Sequence, residues 1–136
     1  MHEIVASNRF MTLATADADG LPWASPVWYA PDGEGALLWM SKPGARHSRN
    51  LAERLQLAIV IFDSTVASAD AAAVYFDAVA EQAPDRVGVY SAHSVALGLD
   101  EVTVAEVTEP GPFRLYRAAI VAGWELGPGD RRVPLG

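Results

Sequence analysis

The stretch Leu37–Leu51, LLWMSKPGARHSRNL, decides how this chain reads. A short apolar run ends at Ser41, the pair Pro43-Gly44 comes next, and Arg46, His47, Ser48, Arg49 and Asn50 then come together. The run has the length of a strand, and the residues after it read as a helix entered through a turn. Proline is favoured in the first helical turn, where its missing N–H is no loss. Ser41 or Lys42 is therefore expected near the N-cap and the helix is expected to reach about Arg54, with Leu51 and Leu55 on one face. The chain has a net charge of −7 and 10 Lys plus Arg, yet Lys42 (its only lysine), Arg46 and Arg49 all fall here. A helix N-terminus offers free N–H groups and partial positive charge. Hydroxyls at Ser41 and Ser48 and arginines able to grip bidentately add to it. The segment reads as a site for an anionic group, most simply a phosphate. The alternative at this level is a solvated amphipathic helix whose charges face water.

At 136 residues the expectation is a single domain spanning 1–136, long enough to bury a core. Hydrophobic residues make up 51%, which suits either a well-filled core or an apolar face buried against a second copy. An acidic chain lacks the broad basic face of a nucleic-acid binder. With 0 cysteines there are no disulfides, thiolate metal sites or Cys nucleophile. No apolar run approaches the roughly 20 residues of a membrane span, and MHEIVASNRF is no signal peptide, so a soluble cytoplasmic protein is expected. His2, His47 and His93 lack metal-ligand spacing, and no metal site is expected.

Outward from the opening stretch, Met1–Asn8 reads as a short helical lead-in and Arg9–Ala16 as a strand ending at Asp19-Gly20, a strong hairpin signal. Pro22–Ala30 is the return strand. Trp23, Ser25, Val27 and Tyr29 share one face, and Pro26 marks an edge or bulge because it cannot donate to a ladder. A turn over 31–35 leads into the strand Ala36–Met40. After the helix, Leu57–Phe62 (LAIVIF) reads as a continuously buried central strand. Asp63–Asp70 is a loop. Ala72–Ala80 is a strand on its Val74-Tyr75-Phe76 core, Pro84–Leu97 a helix, and Thr103-Val104-Ala105-Glu106 a capping box. Phe113–Leu126 is a long last strand, and 127–136 a polar tail. The four tryptophans read as core or interface residues. Antiparallel strands with tight turns and few helices point to a small barrel.

The order of these elements resembles the pyridoxamine 5′-phosphate oxidase-like, FMN-binding split-barrel family. The resemblance is carried by Leu13-Ala14-Thr15, Asp19-Gly20-Leu21-Pro22, Ser25-Pro26-Val27, Ser41, and the Arg46–Leu51 cluster leading into LAIVIF. It is close over residues 9–62 and resumes around Arg114–Val133. Residues 63–112 read as a variable, helix-containing insertion. It implies a mainly β fold, a six-stranded antiparallel split β-barrel, and a homodimer holding FMN in a groove between the subunits.

Carried over by position, Ser25, Pro26, Val27 and Trp28 would run along the isoalloxazine ring and phosphate, and Met40 and Ser41 along the ring edge and phosphate chain. Arg46 and His47 fall where the family places two cationic phosphate ligands, with Lys42 and Arg49 as supplementary cations. Trp124 and Arg131 or Arg132 would come from the partner chain. Ser25 stands where true oxidases carry an arginine, and His47 where they carry a lysine. The C-terminal motif that grips pyridoxine phosphate has only an echo in Asp130-Arg131-Arg132. The expectation is an FMN-binding flavin-dependent oxidoreductase acting on an unidentified small molecule. Two alternatives share the fold: a deazaflavin-dependent reductase, with Arg54 joining the cations, and a non-enzymatic flavin- or haem-binding module with His47 or His93 as axial ligand. No residue stands out as a general acid or base, and no catalytic residue is assigned.

Overall fold

The computed structural model describes residues 1–33 and 35–136. In chain order the elements are α1 Glu3–Ser7, β1 Phe10–Ala16, β2 Pro22–Trp28, β3 Ala30–Pro31, β4 Ala36–Ser41, α2 Arg46–Glu53, β5 Gln56–Phe62, β6 Ala73–Gln82, α3 Val87–Ala96, β7 Arg114–Leu126 and β8 Arg132–Pro134. All strand pairs are antiparallel and join one sheet in the order β2-β1-β5-β6-β7-β4-β3, with β8 added beside β7. The sheet curls until β2 and β4 touch without laddering, which gives a split barrel. Six strands are long, as expected. The two further ones, β3 and β8, are short pieces of two and three residues.

The β1–β2 hairpin forms at the expected Asp-Gly. Gly20 takes φ +85°, where a side chain would be strained, and Asp17 Oδ1 accepts from the backbone N–H groups of Asp19 and Leu21. Pro26 lies on β2, an outermost strand, where its missing N–H interrupts no ladder. Part of the expected 31–35 turn, Glu34, lies outside the described residues. On its flanks Gly33 takes φ +65° and Asp32 N donates to Ala36 O at 2.9 Å.

Inside the curl, Met11, Leu13, Trp39, Ile61 and Val74 are fully buried. Trp39 stacks on Tyr116 with ring centroids 5.2 Å apart. The Tyr29 hydroxyl donates to Val5 O at 2.6 Å, tying α1 to the barrel, and burial pushes its pKa up to about 12. A second core lies outside the curl, where Ala30, Leu38 and Leu115 are covered by Tyr90 of α3 and by Val107. Val107 belongs to a short 3₁₀ turn opened by the capping box: the Thr103 N–H and hydroxyl both donate to Glu106 Oε1. Gly111 is required beside that turn, because a Cβ would run into the carbonyl oxygens of Ala105, Glu106 and Thr108.

Three expectations need correction. The helix begins at Arg46 with Ala45 as its N-cap, not at Ser41 or Lys42. Lys42–Gly44 instead make a turn closed by Ala45 N donating to Lys42 O at 3.1 Å, and Pro43 sits inside that turn. Leu55 falls beyond the helix and is exposed, while Leu51 is buried. Leu57–Phe62 is central in the sheet but not buried on both faces: Leu57, Ile59 and Ile61 point inward, whereas Ala58 and Phe62 are exposed. The polar tail adds a short strand to the sheet, since β8 pairs with β7 and Leu135 N donates to Gly123 O.

Candidate functional site

One stripe of α2 faces the β1–β2 hairpin. Arg46, Asn50 and Arg54 are spaced four residues apart, which aligns them on one side of a helix. Asn50 Nδ2 donates to the buried Thr15 Oγ1 at 3.1 Å. Arg54 donates from Nε to Asp17 O at 2.7 Å and from a terminal nitrogen to Ala18 O at 3.0 Å. Arg46 instead lays its guanidinium over the Trp23 ring, 4.2 Å from the centroid. Its N–H groups have no hydrogen-bond acceptor among the described residues.

The serines behave differently from free hydroxyls. Ser48 Oγ donates to Lys42 O at 2.9 Å, and Ser41 and Ser48 lie 3.0 Å apart, oxygen to oxygen. Because the Ser48 proton is engaged, Ser41 is the donor in that pair, and neither serine retains a proton for a ligand. Together they pin the Lys42–Gly44 turn. Lys42 and Arg49 are exposed and carry no ion pair among the described residues. The His47 ring is half-buried, its Nε2 has no hydrogen-bond partner, and burial lowers its pKa below the ordinary 6.5. At neutral pH it therefore adds no full charge to the cluster.

Along β2 the predicted residues separate by face. Ser25 and Val27 point inward and are buried, Val27 as part of the core. Pro26 is exposed on the outer side. Trp28 is on that outer side too, where it packs edge-on against Tyr90 and at 5.6 Å against the His93 ring. Met40 packs against the second core. Burial and, secondarily, the charge of Arg9 lower the His93 pKa.

Trp124 sits on β7 opposite Tyr75, far along the sheet from α2. Arg132 lies over Tyr75 at 4.1 Å and beside Trp124 at 5.9 Å; Arg131 is exposed at the end of a short turn and makes no such contact. One chain thus brings Lys42, Arg46, His47 and Arg49 together at one end of α2. Trp124 and Arg132 form a separate group on the outer sheet face.

Two features escaped the sequence reading. Trp23 is the platform under Arg46; its signal was its place two residues before Ser25 on the same face of β2. Asp32 is a buried carboxylate that accepts from Arg86 through both oxygens and from Arg117 Nε at 3.0 Å. The Arg86 hydrogen bond is the main reason its pKa lies below 3.8. No local pattern announces this network, whose members are 54 and 85 residues apart in sequence. Among the described residues no three His, Asp or Glu side chains assemble as a metal site, and no helix is long and apolar enough to cross a membrane.

Comparison with solved structures finds the same fold in a haem-binding protein from Mycobacterium smegmatis, 27% identical with a TM-score of 0.75. The match covers 97% of this chain and 54% of that one, so the chain spans about half the length of that relative. HutZ, the haem storage protein from Vibrio cholerae, is 23% identical with a TM-score of 0.68, over 87% of this chain and 85% of that one. An F420 reductase is 17% identical with a TM-score of 0.63, over 85% and 88%. No curated protein matches significantly. The sequence profile of the family described as pyridoxamine 5′-phosphate oxidase matches residues 1–126. With that match over nearly its whole length and a split barrel to go with it, the chain belongs to the pyridoxamine 5′-phosphate oxidase-like family.

Proposed function

We propose that the chain binds FMN as a homodimeric flavin-dependent oxidoreductase. The observation that carries the reading is Arg46: a guanidinium held over the Trp23 ring with its N–H groups unpaired among the described residues, in an otherwise acidic chain. Such a fork suits the oxygens of a phosphate, and the exposed Lys42 and Arg49 beside it add charge without committing their own groups. Ser41 and Ser48 serve this site by fixing the turn that carries Lys42, not as donors to the ligand. A bound flavin supplies the redox chemistry, and the chain supplies binding, orientation and electrostatics.

The second copy is supported by the half of the sheet's outer face that only the Arg132 side chain of β8 crosses. Thr12, Val60, Tyr75 and Trp124 form one row across β1, β5, β6 and β7, and Ala14, Ala58, Asp77 and Ala122 form the next, with Asp77 its one charged member. Phe62 and Val79 extend this surface, and both are exposed in a single chain. Segments 84–113 cover only the other half. An apolar sheet face of this kind is the kind buried in homodimers.

FMN fits better than a deazaflavin with its longer acidic tail, because Arg54 is tied to hairpin carbonyls and leaves only Lys42 and Arg49 as spare cations. A haem reading draws on the likeness to the mycobacterial haem-binding protein. Within this chain, however, both His2 ring nitrogens are hydrogen-bonded and His47 Nε2 is buried, leaving His93 against Trp28. The test is an absorbance spectrum of the native protein with mass identification of the released ligand. A flavin spectrum, or saturable FMN binding by colourless protein, is expected. A Soret band, or preference for a deazaflavin in competitive titration, would replace the reading with its alternative.

A further inference from the structure

The stripe of α2 that faces the hairpin contains a difference between its members. Asn50 and Arg54 direct their N–H groups into protein acceptors. Arg46, on the same stripe, is held without using any of its donors, its guanidinium carbon lying 4.2 Å from the centre of the Trp23 ring. A cation–π contact fixes a guanidinium without occupying its N–H groups, whereas a carboxylate partner would occupy the donors and neutralise the charge. Arg86 and Arg117 are fixed in that other way, on Asp32, with Arg117 also reaching Glu81; Arg132, over Tyr75 at 4.1 Å, is the other arginine set on a ring, on a strand away from α2.

Trp23 is also placed oddly for a tryptophan with no other task. It is 41% exposed, near the start of β2. It lies on the same face of β2 as Ser25, the position that is uncharged in this chain. Resting on the flavin reading above, we infer that Trp23 is the positioning residue of the phosphate site. It holds Arg46 from α2 in a single orientation, so that one preorganised fork does work that a second fixed charge on β2 would otherwise do. Trp23 does not touch the reacting part of the cofactor; it acts through Arg46.

The test measures FMN and riboflavin affinities, by fluorescence titration, for the wild type and the variants Trp23→Leu, Trp23→Phe, Arg46→Lys and the Trp23→Leu/Arg46→Lys double variant. Riboflavin lacks the phosphate and serves as the internal control. Trp23→Leu is expected to weaken FMN about tenfold while changing riboflavin less than about twofold, and Trp23→Phe to recover most of the loss. Arg46→Lys keeps the charge but loses the planar fork, so it should weaken FMN similarly, and the double variant should be little worse than either single one. Equal losses for FMN and riboflavin, or additive losses in the double variant, overturn the inference while leaving flavin binding standing. Absence of FMN binding by the wild type overturns the flavin reading itself, and this inference with it. Trp23 is largely at the surface, so its variants should keep the wild-type melting temperature. Should Trp23→Leu fail to fold, the Trp23→Phe and Arg46→Lys comparisons decide the question in its place.

Discussion

The Asn50 amide and the Thr15 hydroxyl, both buried, meet at 3.1 Å and join α2 to β1 across 35 residues of sequence. This bond lies between the Arg46–Trp23 contact and the Arg54 contacts with the hairpin turn, so the proposed anion site and the hairpin are built on the same helix face. Asn50→Leu would fill similar space but leave Thr15 Oγ1 buried without its partner. We expect a stability loss of about 1–3 kcal/mol by denaturant titration, with weaker FMN binding as the helix loosens.

Arg46→Ala removes the fork and its charge but no buried packing. FMN affinity should fall by about 10- to 100-fold, with riboflavin affinity and melting temperature nearly unchanged. A parallel loss in melting temperature would mean that Arg46 is structural.

Asp32 fastens the short turn before α3 and strand β7 to the β3–β4 connection. Asp32→Ala should lower stability by about 2 kcal/mol, because charge-assisted bonds to a buried carboxylate are lost while the two arginines remain free to reach water. The folded pKa of Asp32 is depressed below 3.8, so its contribution is complete above that value. It disappears as pH falls through the lower folded value, and acid unfolding of the wild type should steepen there while that of Asp32→Ala does not.

His47 acts in a different pH window and with the opposite charge. Its folded pKa lies below the ordinary 6.5, so the unfolded chain binds the proton more readily. Stability is complete above 6.5, declines as pH falls through that value, and levels off below the folded pKa. His93 contributes in the same direction. His47→Gln should therefore flatten part of the decline in melting temperature as pH falls below 6.5, and His47→Gln/His93→Gln more of it.

Val79→Glu places a charge on the bare half of the outer face, where a single chain leaves it in water. Light scattering after size exclusion should show a shift from dimer to monomer with an unchanged far-ultraviolet spectrum, because pairing would bury an unpaired charge. A wild-type protein that is monomeric at micromolar concentration would remove the second copy from the reading.

The barrel was legible because its signals are local. Asp19-Gly20, the alternating Phe113–Leu126 run and the Thr103–Glu106 capping box each fix their own geometry within a few residues. The helix start was misplaced because Pro43 suits a turn as well as a first helical turn, and the Ser48-to-Lys42 bond that selects the turn crosses six residues. Leu57–Phe62 looked buried on both sides because its outward residues Ala58, Val60 and Phe62 are as apolar as its inward ones, so the run lacks the alternation that would mark a solvent face. The anion cluster was visible as composition. Which cations are free was not, since Arg54 and Arg46 differ only in what the hairpin puts beside them: carbonyl oxygens under one and an indole under the other.

The stripe Arg46–Asn50–Arg54 also sets the grain of the molecule's motion. With the hairpin tip, the start of β2 and the length of α2 fastened along one line, neither piece can open while the other stays closed. Amide hydrogen exchange should find β1, β2 and α2 opening as one unit, separate from α3, and an anion on Arg46 should slow exchange as far away as the hairpin tip at Asp17.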